Sequence, residues 1–155
     1  MKELVFDNII FIYKKINCQR KLMILGIGVD ICSKKRIDNI LKKLDHHFSR
    51  QILTDVEMKQ GIASTDFSKY LALRFSFKEA FYKAANYSNQ KLLGWKDISL
   101  LDFHNGEFKV NLSEKAEIIM KKKVPLGKKL NINVSVGDTD TLVISKVIVS
   151  YYSSI

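Results

Sequence analysis

The sequence has few of the residues that mark secreted, membrane or zinc-binding proteins. Only two cysteines occur among 155 residues, Cys18 and Cys32, which provide neither a disulfide framework nor a metal-binding cysteine pattern. No apolar run approaches the ~20 residues that a membrane-spanning helix needs. We therefore expect one globular domain, located in the cytoplasm and without a membrane partner.

Acidic residues are also few relative to basic ones. The chain has 26 Lys and Arg against 16 Asp and Glu, a formal charge of +10 at pH 7. Such a charge predicts attraction to nucleic acid, an anionic membrane, a phosphorylated ligand or an acidic protein. The aromatic motif of RNA-recognition sheets and zinc-finger spacing are both missing, so we expect no nucleic-acid partner. A non-enzymatic basic binding module for nucleic acid or an acidic protein stays open as the alternative.

The apolar pattern predicts a mixed α+β domain. Residues 23–31, MILGIGVDI, read as a buried strand, and Ser33 is placed to cap a helix over residues 34–44. Thr54 and Glu57 form the T-x-x-E pattern of a capping box. Two β-rich runs near the C-terminus predict a final hairpin. We expect an antiparallel sheet packed on a long central helix.

Residues 23–155 are predicted to be that single domain, and residues 1–22 an N-terminal extension. The extension lacks the clean apolar region and the cleavage site of a secretory signal. If it is the remnant of a targeting extension, an organelle is the alternative location. We expect it to add a helix or strand that packs on the core.

The long predicted helix, residues 67–86, carries ionisable groups between two apolar faces. At about 100° per residue, the apolar positions form two arcs, one of Tyr70, Leu73, Phe77, Ala80, Phe81 and Ala84 and one of Leu71, Phe75 and Tyr82. One polar strip holds Ser76, Glu79 and Lys83, and the other holds Arg74 and Lys78. A helix packed on two sides directs such strips into gaps where a charged ligand can bind. Alternatively, Glu79 and Lys83 are an ordinary ion pair four residues apart.

Asp30 lies near the end of the predicted buried strand. A carboxylate there is costly unless it is paired or bound to a cation. The strand block MILGIGVDI and the helix block RFSFKEAFYKA at residues 74–84 together resemble the signature blocks of the holo-acyl-carrier-protein synthases, the short type of 4′-phosphopantetheinyl transferase. The resemblance continues through LTDVE, GWKDISLL and NVSVGDTDTLVISKVIV, so it covers roughly residues 23–149.

The resemblance implies transfer of 4′-phosphopantetheine from coenzyme A to a serine of apo-acyl carrier protein, for fatty acid biosynthesis. Its matching acids, Asp30 and Glu79, are expected to bind Mg²⁺ on the pyrophosphate, and Mg²⁺ does prefer carboxylate and phosphate oxygens. Lys83 is expected to hold a phosphate oxygen and stabilise the leaving group. Either Glu79 or a metal-bound water would take the serine proton.

Arg74 and Lys78, on the second polar strip, are expected to reach the phosphates of the nucleotide. Thr139 is carried over as a cofactor-binding residue, because the family's S-H-T motif reads G-D-T here. The glycine-rich turn that follows the family's helix block is replaced by Asn86, Tyr87 and the residues after them. That departure leaves open a degenerate synthase, which would keep the fold but bind coenzyme A poorly.

The helix over residues 34–44 presents a basic face to an expected partner, the acidic acyl carrier protein. Arg36 matches a family position that contacts the carrier, and Lys35 and Lys43 lie on the same helix. Charge of this kind steers association and weakens with salt. The resemblance further implies an α+β fold and a homotrimer with active sites between subunits.

Overall fold

A computed structural model describes residues 22–44, 46–86, 93–102 and 108–153 of the protein. Residues 1–21 lie outside this set, so the expected extension and its boundary stay predictions. The elements in chain order are β1 (Met23–Ser33), α1 (Lys34–Leu44), α2 (His47–Ile52), α3 (Asp55–Ile62), α4 (Phe67–Ala84), a 3₁₀ turn (Trp95–Asp97), β2 (Ile98–Asp102), β3 (Phe108–Leu112), α5 (Glu114–Lys121), β4 (Lys128–Asp138) and β5 (Leu142–Ser153).

The main sheet is antiparallel with strand order β1-β5-β4, and β2 and β3 form a separate hairpin. Among the described residues, β1 and β4 are the edges of that sheet. The α4 helix packs on the face of the sheet that contains Val143, Val147 and Val149 of β5, all of which are buried. These elements confirm the α+β fold with an antiparallel sheet on a long helix.

The long helix begins and ends where local chemistry requires. Asp66 caps its first turn, since its carboxylate accepts a hydrogen bond from the Lys69 backbone N–H at 3.0 Å. The helix ends at Ala84 rather than at residue 86, as the sequence had suggested. Asn86 has a φ of 53°, in the left-handed region that asparagine tolerates better than most residues and that commonly terminates helices.

Gly28 allows α4 to lie directly on β1. A Cβ added at Gly28 would lie 1.9 Å from the Ala80 carbonyl oxygen and 2.6 Å from the Ala84 nitrogen, and one added at Gly26 would lie 2.0 Å from the Ala84 oxygen. Any side chain at these places would therefore collide with helix backbone. The two glycines bring the C-terminal half of α4 within reach of the Asp30 segment.

The prediction that β1 is a buried strand is wrong for one of its faces. Gly28 and Cys32 are buried against the core, but the side chains that alternate with them are exposed: Leu25, Ile27, Val29 and Ile31. Leu142 and Ile144 of β5 extend this exposed apolar surface, because Ile31 pairs with Ile144 across the ladder. We call these six residues the outer sheet face.

No helix in the described ranges is long and apolar enough to span a membrane.

Candidate active site

The two polar strips of α4 face different surroundings. Lys78 belongs to the interior, where it is completely buried and its Nζ lies 2.8 Å from each of four acceptor oxygens, which share its three N–H donors: the Ile52, Trp95 and Ile98 carbonyls and the Glu57 carboxylate. Burial lowers the pKa of Lys78, and Glu57 opposes that shift. The expectation that Lys78 reaches nucleotide phosphates is therefore wrong, because this ammonium joins α4 to three other segments.

Glu57, the partner of Lys78, combines two roles. Its Oε2 accepts from the Thr54 backbone N–H at 2.9 Å, completing the predicted capping box of α3. Its Oε1 accepts from the Leu100 N–H of β2 at 3.0 Å. The T-x-x-E spacing identified the cap, but no sequence signal showed that this glutamate is fully buried or that its partner is Lys78.

Arg74 is also an interior residue rather than a phosphate ligand. Only 2% of its side chain is exposed, its Nε donates to the Leu100 carbonyl at 3.1 Å, and its guanidinium pairs with Asp102 at 2.7 Å. The same guanidinium stacks over the Tyr70 ring, 3.7 Å from its centroid. These contacts attach α4 to β2 and contradict the expected role in nucleotide binding.

The strip of Ser76, Glu79 and Lys83 does face the Asp30 segment. Ser76 donates to the Asp30 carbonyl at 3.1 Å. Lys83 donates to Asp30 Oδ1 at 2.7 Å and to the Val29 carbonyl at 3.0 Å. In place of the alternative interpretation, an ordinary ion pair of Glu79 and Lys83 on one helix, Lys83 pairs across elements with Asp30.

Glu79 lies close enough to Asp30 for the two charges to interact. The pKa of Glu79 is raised, first because the carboxyl is partly buried and then because Asp30 is negatively charged. Lys83 and Arg36 act in the opposite direction. Two acids distant in sequence are therefore brought into one electrostatic environment by the packing of α4 on β1.

These residues fit a hard divalent cation. Two partly buried carboxylates that repel each other gain from a shared cation, and carboxylate oxygens are the donors that Mg²⁺ prefers. The described ranges contain no group of three or more His, Cys, Asp or Glu side chains arranged to hold a metal. A cation at Asp30 and Glu79 would thus need further ligands from water or phosphate, as Mg²⁺ usually has in phosphoryl-transfer sites.

The predicted carrier-binding residues of α1 lie side by side. Lys35, Arg36 and Lys43 line one shallow depression together with Ser33, Asn39 and Ile40. Arg36 is exposed and still lowers the pKa of Glu79, so the basic surface adjoins the acidic pair. We call Lys35, Arg36 and Lys43 the basic face of α1.

Thr139 lies in the turn between β4 and β5 and is exposed. Its hydroxyl oxygen accepts from the Leu142 N–H at 3.1 Å and from the Thr141 N–H at 3.3 Å. The Thr141 carbonyl in turn accepts from the Lys34 N–H at 2.9 Å, which attaches the turn to the start of α1. Thr139 thus shapes its own turn, and its part in coenzyme A binding stays a prediction.

Comparison with known proteins places the chain among enzymes of one kind. A family model described as the 4′-phosphopantetheinyl transferase superfamily matches residues 26–134. The holo-[acyl-carrier-protein] synthase of Zymomonas mobilis is 36% identical over 118 residues, covering 75% of this chain and 88% of that protein.

Solved structures agree with the sequence relatives. The crystal structure of the Neisseria meningitidis holo-[acyl-carrier-protein] synthase superposes with a TM-score of 0.75 at 28% identity, covering 82% of this chain and 98% of the other. The Helicobacter pylori synthase in complex with coenzyme A superposes with a TM-score of 0.66 at 25% identity, covering 79% and 98%.

Proposed function

Because this chain belongs to the 4′-phosphopantetheinyl transferase superfamily, we propose that it transfers 4′-phosphopantetheine from coenzyme A to a serine of an apo-acyl carrier protein. The product is the holo carrier used in fatty acid biosynthesis. The observation that carries the proposal is the close packing of α4 on β1 at Gly28, where Ser76 and Lys83, on the same strip of α4 as Glu79, donate hydrogen bonds to Asp30. The free, buried thiol of Cys32 is compatible with a cytoplasmic location.

In the proposed reaction the serine oxygen attacks the phosphorus that bears the pantetheine arm. The bond from that phosphorus to the bridging oxygen breaks, and adenosine 3′,5′-bisphosphate leaves with the bond's electrons. Mg²⁺ held by Asp30 and Glu79 would neutralise charge on the pyrophosphate oxygens. Stabilising that charge is the main requirement of phosphoryl transfer, and this dependence on Mg²⁺ is part of the proposal.

Glu79 and Lys83 are the proposed catalytic residues. Glu79 is proposed to accept the serine proton, either directly or through a water bound to the cation. Lys83 lies at the exposed rim of the site, where its ammonium can bind a phosphate oxygen of coenzyme A and stabilise the leaving group. Arg74 and Lys78 are excluded from this set because they are enclosed in the interior.

The acyl carrier protein is proposed to dock on the basic face of α1. This surface is next to Glu79, so a carrier bound there would have its serine near the acidic pair. Opposite charge on the two partners would raise the association rate, and salt would reduce it.

A homotrimer with active sites at the subunit interfaces is proposed as the working assembly. The outer sheet face supports it, because an exposed strip of Leu and Ile side chains on a β-sheet marks an interaction surface. The strip lies on the face of the sheet opposite α4, because its residues alternate along β1 with Gly28 and Cys32, which are buried against the core. We propose that other copies of the same chain cover the outer sheet face.

Replacing Ile31 by Lys tests the assembly, because a charge in the centre of a buried apolar contact is costly. Ile31 is 60% exposed in the isolated chain, and Val56 of α3, 53% exposed, is a matched control. We expect Ile31→Lys to be monomeric in light scattering while Val56→Lys and the wild type are trimeric. A trimer unaffected by Ile31→Lys would contradict the proposed interface.

The activity itself is tested by the mass of an apo carrier incubated with the protein, coenzyme A and Mg²⁺. We expect the mass to rise by one phosphopantetheine with the wild type and not with Asp30→Ala. Lys115→Ala, which removes a surface ion pair at Asp97 far along the chain, should behave as wild type. Equal activity of Asp30→Ala and wild type would refute the assigned role of the acid.

The charge of +10 is the observation that favours the second candidate, a basic binding module. Such a module would bind polynucleotide tightly, with affinity falling steeply as salt rises. Coenzyme A with Mg²⁺ would then leave its melting temperature unchanged, whereas a synthase should be stabilised by the ligands it binds. A degenerate synthase would dock the carrier yet transfer slowly. The residues that replace the family's glycine-rich turn after Asn86 lie outside the described ranges.

A further inference from the structure

The Lys83 ammonium can pair either with the Asp30 carboxylate or with a phosphate of coenzyme A. In this structure it pairs with Asp30. Its ammonium contacts Asp30 Oδ1 at 2.7 Å and the Val29 carbonyl at 3.0 Å. The Asp30 side chain is 16% exposed and the Lys83 side chain 50% exposed. A mostly buried carboxylate is therefore paired with a cation that is half exposed to solvent.

The same place is the one in which a divalent cation would have to bind. Glu79 is the other acid of the pair, and Lys83 is the cation that lowers the pKa of Glu79 most. The ammonium that pairs with Asp30 thus also acts on Glu79, and Arg36 acts on Glu79 in the same direction but less. A divalent cation that bound beside it would be repelled by this positive charge and would compete for Asp30.

We propose that the Lys83 ammonium holds the place of the divalent cation at Asp30 in the ligand-free protein, and that it must leave Asp30 before the cation binds there. This inference rests on the proposed function, since it assumes that Asp30 and Glu79 are the metal ligands. It adds that Lys83 opposes metal binding in the absence of coenzyme A, although it assists the reaction later.

Moving the Lys83 ammonium from Asp30 to a phosphate should require little free energy. Lys83 has one charged partner, Asp30, and one neutral partner, the Val29 carbonyl, and its stem is flexible and half exposed. Ion pairs with this much solvent contact contribute little net stability, because solvent screens them and ordering the side chain costs entropy. A phosphate oxygen offers Lys83 a stronger, charge-assisted partner than a carbonyl.

The exchange couples the two ligands of the site. When the metal binds alone, it must displace Lys83 from Asp30 and leaves the ammonium without a new partner. When coenzyme A is also bound, its pyrophosphate gives Lys83 that partner. The divalent cation should consequently bind weakly by itself and more tightly when coenzyme A is present. By linkage, coenzyme A should gain the same factor from the metal.

Binding of Mn²⁺, which also takes carboxylate ligands, tests the inference directly through its electron paramagnetic resonance signal. Lys83→Met keeps the length of the side chain and removes the charge. We expect Lys83→Met to bind Mn²⁺ alone about tenfold more tightly than the wild type, equivalent to ~1.4 kcal/mol. The gain in Mn²⁺ affinity on adding coenzyme A should be smaller in this variant than in the wild type.

Two control variants separate charge at this place from charge in general. Lys115→Met removes an ammonium that is 58% exposed and lies 3.7 Å from the 19% exposed Asp97, a close match to the Lys83 pair. It should leave Mn²⁺ affinity unchanged. Lys83→Arg retains the competing charge and should retain the weak wild-type affinity.

The outcomes distinguish the inference from the function on which it rests. Equal or weaker Mn²⁺ binding by Lys83→Met, with clear binding by the wild type, would overturn the place-holding role and leave the proposed metal site standing. Failure of both proteins to bind Mn²⁺, even with coenzyme A, would overturn the metal site and the inference together. Tighter binding by Lys115→Met as well would attribute the effect to net charge and also overturn it.

Discussion

Replacing Gly28 by Ala should damage the site without touching any of its charged residues. The added Cβ would lie 1.9 Å from the Ala80 carbonyl oxygen, 2.9 Å from the Ala80 carbonyl carbon and 2.6 Å from the Ala84 nitrogen. All three are backbone atoms of α4, so no side-chain rotation relieves the contact. The helix must move away from β1 by about 1.5 Å to restore an ordinary van der Waals distance.

The energetic cost is that of overpacking a core, about 1–3 kcal/mol or somewhat more. The functional cost is larger in proportion, because the shift separates Glu79 and Lys83 on α4 from Asp30 on β1. A displacement of about 1 Å at a reacting centre can reduce the rate about 100-fold. We therefore expect Gly28→Ala to remain folded but to lose most of its transferase activity.

Gly94→Ala is the matched control. Gly94 has a φ of −90°, which any residue adopts, and a Cβ there meets only Asp97 Oδ2, at 3.7 Å. Urea denaturation measures stability, and the mass of the apo carrier measures transfer. If Gly28→Ala equals Gly94→Ala in both assays, the claim that glycine-mediated packing assembles the site is refuted.

Three further changes test other parts of the structure. Lys78→Met leaves the Glu57 carboxylate buried without a cation, so the free energy of unfolding measured in urea should fall by about 3–5 kcal/mol. A loss below about 1 kcal/mol would contradict the importance of the buried pair. Asp66→Ala should cost about 1 kcal/mol at pH 7 as the loss of a helix cap. The hydrogen bond from the Lys69 N–H lowers the pKa of Asp66 from its usual 3.8, so the cost of Asp66→Ala should shrink as the pH falls through the lowered pKa. A cost that stays the same from about pH 7 down to about pH 2 would contradict this role of the carboxylate. Arg36→Glu should raise KM for the carrier and flatten its dependence on salt, with kcat nearly unchanged; an unchanged KM would argue against docking on α1.

Local patterns in the sequence predicted most of the fold. The helix predicted over residues 34–44 is α1, the T-x-x-E pattern forms the box that starts α3, and the last two β-rich runs pair as β4 and β5. Each of these signals depends on residues only a few positions apart. The homology of two sequence blocks supplied what local patterns lack, the association of Asp30 with Glu79.

The helical wheel failed where burial decides the role of a charge. It separated the two polar strips of α4 correctly but could not show which strip faces a ligand. Lys78 is in the interior because Glu57 and three carbonyls surround it, and these belong to segments distant in sequence. An apolar stretch is ambiguous in a similar way, since Ile27 and Ile31 are exposed on the single chain although their pattern suggests burial.

The most direct test of the acidic pair is a crystal structure with coenzyme A and Mn²⁺, read from the anomalous signal of the metal. We expect one Mn²⁺ bonded to carboxylate oxygens of both Asp30 and Glu79 and to a pyrophosphate oxygen, with Lys83 turned from Asp30 to phosphate. A metal and pyrophosphate bound at other residues, with no contact to Asp30 or Glu79, would refute the proposed site.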